Sequence, residues 1–139
     1  MKRQISLIEM GTVILGIFIL AGCSLAAGGD SLEGTSWTLT SLAGSPSMEG
    51  ATITVQFSNG EISGSSGCNS FGGTYDVKGD KLGTAELVST LMACTDSGVM
   101  DQEQAFMAYL QDAQSFEVGE GQLKIITADG TELLFVAAE

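Results

Sequence analysis

Apolar and polar residues alternate along much of the chain. Ile53, Val55 and Phe57 take every second position, with Thr52, Thr54 and Gln56 between or before them. A period of two gives a strand one buried face and one wetter face. Ser36–Leu42 repeats the pattern, with Trp37 and Leu39 on one face and Thr38 and Thr40 on the other. Asn59-Gly60 follows Phe57 and predicts a two-residue hairpin, because both residues tolerate positive φ. Glu61, Ile62 and Ser63 then form the return strand. Phe71–Val77 and Leu82–Leu87 flank Lys78-Gly79-Asp80 in the same way. Phe116–Val118, Leu123–Thr127 and Glu132–Val136 are separated by Gly119-Glu120-Gly121 and Asp129-Gly130, which are tight-turn sequences. Residues 43–50 hold the single proline, Pro46, and read as a loop.

One segment changes period. Val99, Phe106, Leu110 and Ala113 fall near one stripe of a helix running from Val99 to Asp112, with Asp101, Gln104 and Gln111 elsewhere. Asp96 or Ser97 is placed to cap its start, and Asp101 and Glu103 complement the positive end of its dipole. About seven or eight short strands and one helix predict a mainly β fold. The expected form is a small antiparallel barrel-like sheet with the helix packed across it, since closure removes exposed edges. Trp37, Phe57, Phe71, Tyr75, Phe106, Leu110, Leu123, Ile125 and Phe135 are the expected core. Large apolar residues at such spacing fill a core more often than they line a pocket.

The first residues follow a different logic. Lys2 and Arg3 precede an apolar run from Thr12 to Leu20, which ends in Leu20-Ala21-Gly22-Cys23. A basic start, a short apolar core and small residues before a cleavage point describe an export signal. The run is shorter than the ~20 apolar residues that span a bilayer. Leu-Ala-Gly-Cys resembles the bacterial lipobox, which implies cleavage before Cys23 and lipid attachment to its thiol. The alternative is an uncleaved N-terminal anchor. Either way the domain is expected outside the cytoplasm, tethered to the cell membrane, or to the outer membrane of a cell that has one. Residues 1–22 are then the signal peptide, 23–31 a lipidated cysteine with a flexible tether, and 32–139 one domain.

Charge narrows the partners. The chain has a formal net charge of −12 and no histidine. Beyond the signal its cations are Lys78, Lys81 and Lys124, with no arginine. Such a surface repels phosphate backbones, so nucleic acid is excluded, and it favours solubility or a cationic partner.

Cys68 and Cys94 are the thiols left after Cys23. In an exported domain they are expected to be oxidised to each other. Closing that loop stabilises a fold by about 3.5 kcal/mol on the chain-entropy model. A redox pair would need Cys-x-x-Cys or a nearby cation, and neither is present. Two thiols without histidine do not make a zinc site. Gly64, Gly67, Gly72 and Gly73 invite comparison with a phosphate loop, but no Lys-Ser/Thr follows them. They read as a tight turn that needs positive φ and holds Cys68 in bridging geometry, with Asn69 bonding the backbone of that turn. Asp96, Asp101 and Glu103 lack the spacing of a calcium loop. Asp76 with Asp80, and Asp129 with Glu132, flank turns and read as solvated. No metal and no cofactor is expected.

Four motifs together resemble one family. Leu32-Glu33-Gly34-Thr35-Ser36-Trp37-Thr38-Leu39 looks like the opening of a META domain, the HslJ-like family. Gly64 to Tyr75, with Gly67-Cys68-Asn69 at its centre, looks like the family's central motif. Ser89-Thr90-Leu91-Met92-Ala93-Cys94 resembles its second cysteine motif. Glu103-Gln104-Ala105-Phe106 with Leu110 resembles its helix, and Leu123 and Leu133-Leu134-Phe135 its last strands. Thr95 stands where a proline often follows the second family cysteine. The resemblance implies a compact β-rich barrel-like fold in secreted, periplasmic or lipid-anchored proteins, some linked to stress response or virulence. It implies Cys68, Cys94, Gly67, Asn69, Trp37 and Tyr75 as structural motif residues. It supplies no catalytic residues.

The residues also argue against an enzyme. Without histidine, a free thiol or arginine beyond the signal, the usual nucleophile–base pairs and phosphate clamps are missing. The expectation is a non-enzymatic, monomeric envelope or stress-related module. It would be held to a membrane through lipid on Cys23 and act on a protein partner that the residues do not name. The alternatives are an inhibitor of a basic secreted hydrolase, such as a lysozyme or protease, and a carrier of a small apolar ligand.

Overall fold

The computed structural model describes residues 31–139. Cys23 and the signal peptide lie outside the described residues. The order of elements is β1 (Thr35–Leu42), β2 (Ser45–Pro46), β3 (Ile53–Ser58), β4 (Glu61–Ser66), β5 (Ser70–Lys78), β6 (Lys81–Ser89), α1 (Val99–Gln111), β7 (Ala113–Gly119), β8 (Gln122–Thr127) and β9 (Glu132–Ala137). From β3 onward each strand pairs antiparallel with the next in sequence, and β9 returns to β1. The result is a closed barrel with β2 added beside the far end of β1.

The period-two pattern explains the faces. Ile53, Val55 and Phe57 point inward from β3, and Trp37 and Leu39 from β1. All nine expected core residues are buried in one cluster, joined by Leu32, Ile62, Leu82, Phe116 and Leu133. Phe57 meets Tyr75 edge-on with ring centroids 4.9 Å apart, and Phe71 meets Phe106 in the same way at 5.5 Å. Such pairs add about 1 kcal/mol beyond burial. The Tyr75 hydroxyl donates to Glu33 at 2.8 Å, so the ring is buried while its polar end is satisfied.

Two local expectations are corrected. Residues 43–50 are not all loop, because Ser45–Pro46 forms β2. Ala43 and Gly44 both take positive φ, 51° and 80°, and turn the chain back onto β1. The proline is tolerated because β2 is an edge strand. The helix, in turn, is not capped by Asp96 or Ser97. Its N-cap is Gly98, at φ 89°, with no side-chain cap. A left-handed entry suits glycine and turns the chain before an Asp or Ser side chain can fold over the first turn.

The barrel is not equally sealed all round. β5 and β6 pair from the hairpin at Lys78–Lys81 to Phe71 and Ser89, with a bulge opposite Gly73 where Glu86 takes φ 55°. β6 meets β7 at the single pair Lys81–Ser115, beside a bond from the Phe116 amide to the Asp80 carbonyl. Beyond it the two strands part, and α1 covers the gap. Phe106 and Leu110 enter the core, and the Thr84 hydroxyl donates to the Leu110 carbonyl at 2.7 Å.

Candidate functional site

A buried and densely bonded polar pair, Glu103 and Asn69, lies where α1 meets the β4–β5 turn. Glu103 is only 5% exposed. Its Oε2 accepts from the Ser66 hydroxyl at 2.8 Å, the Asn69 amide at 2.8 Å and the Cys68 amide at 3.3 Å. Its Oε1 accepts from the Asn69 side-chain amide at 2.6 Å. Burial alone would raise its pKa. The bonds from the Asn69 amide and side chain, Ser66 and Cys68 outweigh that and hold the carboxyl below its ordinary range. Glu103 is therefore a charged clamp on a turn of backbone amides, with both oxygens committed.

Asn69 carries the restraint onward. It is 2% exposed. Its Oδ1 accepts from the Met92 amide at 2.7 Å and the Thr90 hydroxyl at 2.9 Å, and its Nδ2 lies 3.3 Å from the Met92 carbonyl. Asn69 bonds its own turn through its main chain, whose carbonyl accepts from the Ser66 amide at 2.8 Å, whereas its side chain bonds Glu103 and the loop after β6. Next to it, Cys68 and Cys94 form a disulfide, 26 positions apart and with Cα atoms 6.1 Å apart. The loop between β6 and α1 is thus tied down by a covalent bond and by Asn69 side by side.

The other motif residues have separate tasks. The positive φ expected of the turn falls on Gly67, at 114°. Gly72 and Gly73 lie within β5 instead of in a turn. Gly64 sits in β4, where a Cβ would overlap the Thr54 carbonyl oxygen of β3. Trp37 and Tyr75 are core residues and do not join the Glu103–Asn69 cluster; the Trp37 indole donates to the Thr35 hydroxyl at 2.7 Å. Asp96, Asp101 and Glu103 do not converge, and among the described residues no cluster of acidic or thiol groups is arranged to hold a metal ion. Asp129 does more than flank a turn. It accepts from the Thr127 hydroxyl at 2.6 Å and the Thr131 amide at 3.0 Å, bonds that hold its pKa down to about 2. Its neighbour Glu132 pairs with Lys124 at 3.4 Å.

Glu103 is the residue whose role the spacing misassigned, as a dipole charge at the helix start. Its signal was present: Val99, Glu103, Phe106 and Leu110 share one helical stripe, and all four are buried. An acid on an apolar stripe needs a partner inside, because an unpaired buried charge is too unfavourable to persist. Gln102 was also missed. It accepts from the Met48 amide at 2.8 Å and donates to the Ala51 carbonyl at 3.3 Å, fastening the start of α1 to the segment before β3.

This framework supports an unusual surface. On the tethered loop, Leu91 is 95% exposed and Met92 59%. Beside them a groove of about 560 Å³ runs between the end of β6 and α1, lined in part by Leu87, Met92, Met100 and Met107. Its one charged lining residue is Glu103, already satisfied. A second concavity of about 410 Å³ lies over β7–β9 and is more polar, crossed by Lys124 between Glu117 and Glu132.

The comparisons agree on family and fold. The META domain model matches residues 30–139, and the chain belongs to that family. A protein from Burkholderia xenovorans, solved by NMR, is 30% identical with a TM-score of 0.65, over 77% of this chain and 83% of that one. A second NMR structure is 23% identical with a TM-score of 0.63, over 76% of this chain and 90% of that one. The crystal structure of a DUF4847 family protein from Bacteroides vulgatus is 13% identical with a TM-score of 0.54, over 78% and 95%. The last two speak for the fold alone. No curated protein matches the chain.

Proposed function

Taking membership of the META domain family as the premise, we propose that this chain is a lipid-anchored, extracytoplasmic module that works by protein–protein contact and without catalysis. The observation that carries the reading is the loop between β6 and α1. A disulfide and the Asn69 bonds hold Leu91 and Met92 out in water, beside an apolar groove. Exposed apolar groups on a rigid frame contribute little to folding and much to docking. The frame lowers the ordering cost that a mobile loop would carry into a complex.

Three further features support it. The Lys2-Arg3 start, apolar run and Leu-Ala-Gly-Cys23 ending fit export and lipidation. A single acyl chain gives marginal binding, so stable anchoring on Cys23 requires at least two. The barrel interior is filled by Phe57, Phe106, Phe135 and their neighbours, which leaves a small-ligand carrier the outer concavities and not the interior. The acidic surface favours a cationic partner, and a basic secreted hydrolase held by inhibition is one such partner.

The test is a pull-down. Residues 24–139, expressed with disulfide formation, are immobilised and exposed to envelope and secreted fractions, with a Cys68→Ser/Cys94→Ser chain as control. A partner retained by the first and lost by the second is expected, and failure to retain any protein above background overturns the interaction reading. Cys23→Ala tests the anchor separately. The parent chain should incorporate a labelled fatty acid in cells and sediment with membranes, and the variant should do neither.

A further inference from the structure

We propose that the groove between β6 and α1 takes an extended, basic segment of the partner protein, added beside the unpaired end of β6. The proposal rests on the interaction reading above and names the partner's chemistry. Two independent features of the groove carry it.

The first is the strand edge. β6 pairs with β5 along its length but meets β7 only at Lys81–Ser115. At Thr84 its other side touches α1 through the Leu110 carbonyl. From Leu87 to Ser89 that side faces the groove instead. An open strand end next to an apolar trough is the arrangement in which main-chain bonds fix an added strand and a trough reads every second side chain. The Met92, Met100 and Met107 side chains suit this role, since unbranched thioethers repack around different apolar residues. The bulge at Glu86 limits indiscriminate pairing along the rest of the edge.

The second feature is charge. Glu86 precedes Leu87 on the strand and Asp101 follows Met100 on the helix; both carboxylates are exposed. Asp96 is exposed on the loop between them in sequence. The cations among the described residues, Lys78, Lys81 and Lys124, line no part of the groove, and each sits within 3.7 Å of a carboxylate elsewhere. A segment with apolar residues on one face and lysine or arginine on the other suits an apolar trough that holds no cation and whose lining residues adjoin exposed carboxylates in sequence. A second copy of this chain does not, because each carries a net charge of −12.

The probe is a capped octapeptide of alternating lysine and leucine, titrated into ¹⁵N-labelled residues 24–139, which hold every element that closes the barrel. Shifts are expected at Leu87–Ala93 and along Met100–Met107. Binding should weaken severalfold on raising the salt to about 0.5 M, as screening removes the charge contribution. The matching glutamate–leucine peptide should not bind. Met100→Lys/Met107→Lys should weaken binding about tenfold or more, while Val118→Lys, over the β7–β9 concavity, should leave it unchanged. Spectra of each variant report folding directly. No peptide binding, equal binding of the acidic peptide, shifts centred on Val118 and Val136, or tighter binding of decanoate than of peptide would each overturn the proposal. In the pull-down, a partner retained equally by Met100→Lys/Met107→Lys overturns the groove but leaves the interaction reading standing. Retention of nothing by the parent chain sinks that reading itself.

Discussion

The two sides of the barrel are held together by different forces. From β8 through β9 and β1 to β5, each strand is paired on both sides over a filled apolar interior, with one bulge in the β1–β9 ladder between Leu39 and Ser41. From the end of β6 to β7 the ladder reduces to one pair, and a helix stands in the gap. There the structure depends on particular polar groups: Glu103 on three amide donors and a hydroxyl, Asn69 on the loop, Gln102 on the segment before β3, Thr84 on the helix end. A ladder tolerates loss of one bond because its neighbours maintain the register. The polar clamps have few substitutes, since no strand ladder backs them, and only the Cys68–Cys94 bond and the Phe71–Phe106 contact work beside them. The open side also carries the three most exposed large apolar residues among the described ones, Val88, Leu91 and Met92, so the region least supported by the sheet is the one we propose for recognition.

The largest expected effects test whether the two sides are one cooperative unit. Phe106 comes from the helix but its ring packs on Phe71 of β5. Phe106→Ala should destabilise the fold by about 3–5 kcal/mol, read as a lower midpoint in urea. A single transition that shifts as a whole shows that the helix and barrel unfold together. Two transitions, with the barrel signal unmoved, would show that the closed side stands alone. The Cys68→Ser/Cys94→Ser chain should lose about 3.5 kcal/mol on the chain-entropy model. If the open side depends on the disulfide as argued, amide exchange should rise most at residues 90–98 and least in β1, β3 and β9.

The contrast also explains what could be read in advance. On the closed side the inward residues follow the period of two, broken in β1 by a bulge between Leu39 and Ser41, and Ile53, Val55, Phe57, Ile125 and Phe135 reach the core as their spacing says. Local pattern suffices there because burial follows the period of the strand. On the open side the decisive contacts join residues more than twenty positions apart, such as Asn69 to Met92, at a separation of 23, and Asn69 to Glu103, at 34. No local pattern encodes that distance. What the sequence does carry is the anomaly of an acid on the Val99–Phe106–Leu110 stripe, legible as a demand for a buried partner but silent on which one. The barrel order was legible from hairpin turns, whereas the two-residue β2 was not, because Ala43-Gly44 is a weak turn signal beside Asn59-Gly60.

Glu103→Gln sharpens the comparison at a middle scale. The amide keeps the size but presents donors where Ser66, Cys68 and Asn69 already donate. A loss of about 2–3 kcal/mol at pH 7 is expected, the range for hydrogen bonds to a charged group. The pH dependence has a definite sign. The folded pKa of Glu103 lies below the unfolded value, near 4.3. Its contribution is therefore full above that value and is lost as pH falls through the lower folded one. Urea titrations at neutral pH and near pH 3 should show the gap between parent and variant shrinking in acid. A gap that stays constant or widens would mean that the charge on Glu103 is not what fastens the helix to the turn.

The smallest stability effect belongs to the most exposed apolar residue. Leu91 has almost no neighbours to lose, so Leu91→Ser should change the folding free energy by no more than about 0.5 kcal/mol. Its position is set by the backbone on either side, through Thr90, Met92 and the disulfide at Cys94, and not by its own side chain. The same substitution should nevertheless reduce retention of a partner in the pull-down, because the leucine is the apolar group held furthest into water. Unchanged unfolding with reduced retention separates the loop's frame from its contact surface. A marked fall in stability would instead make Leu91 part of the fold. Full stability with full retention would move the docking surface away from the loop tip and into the groove behind it.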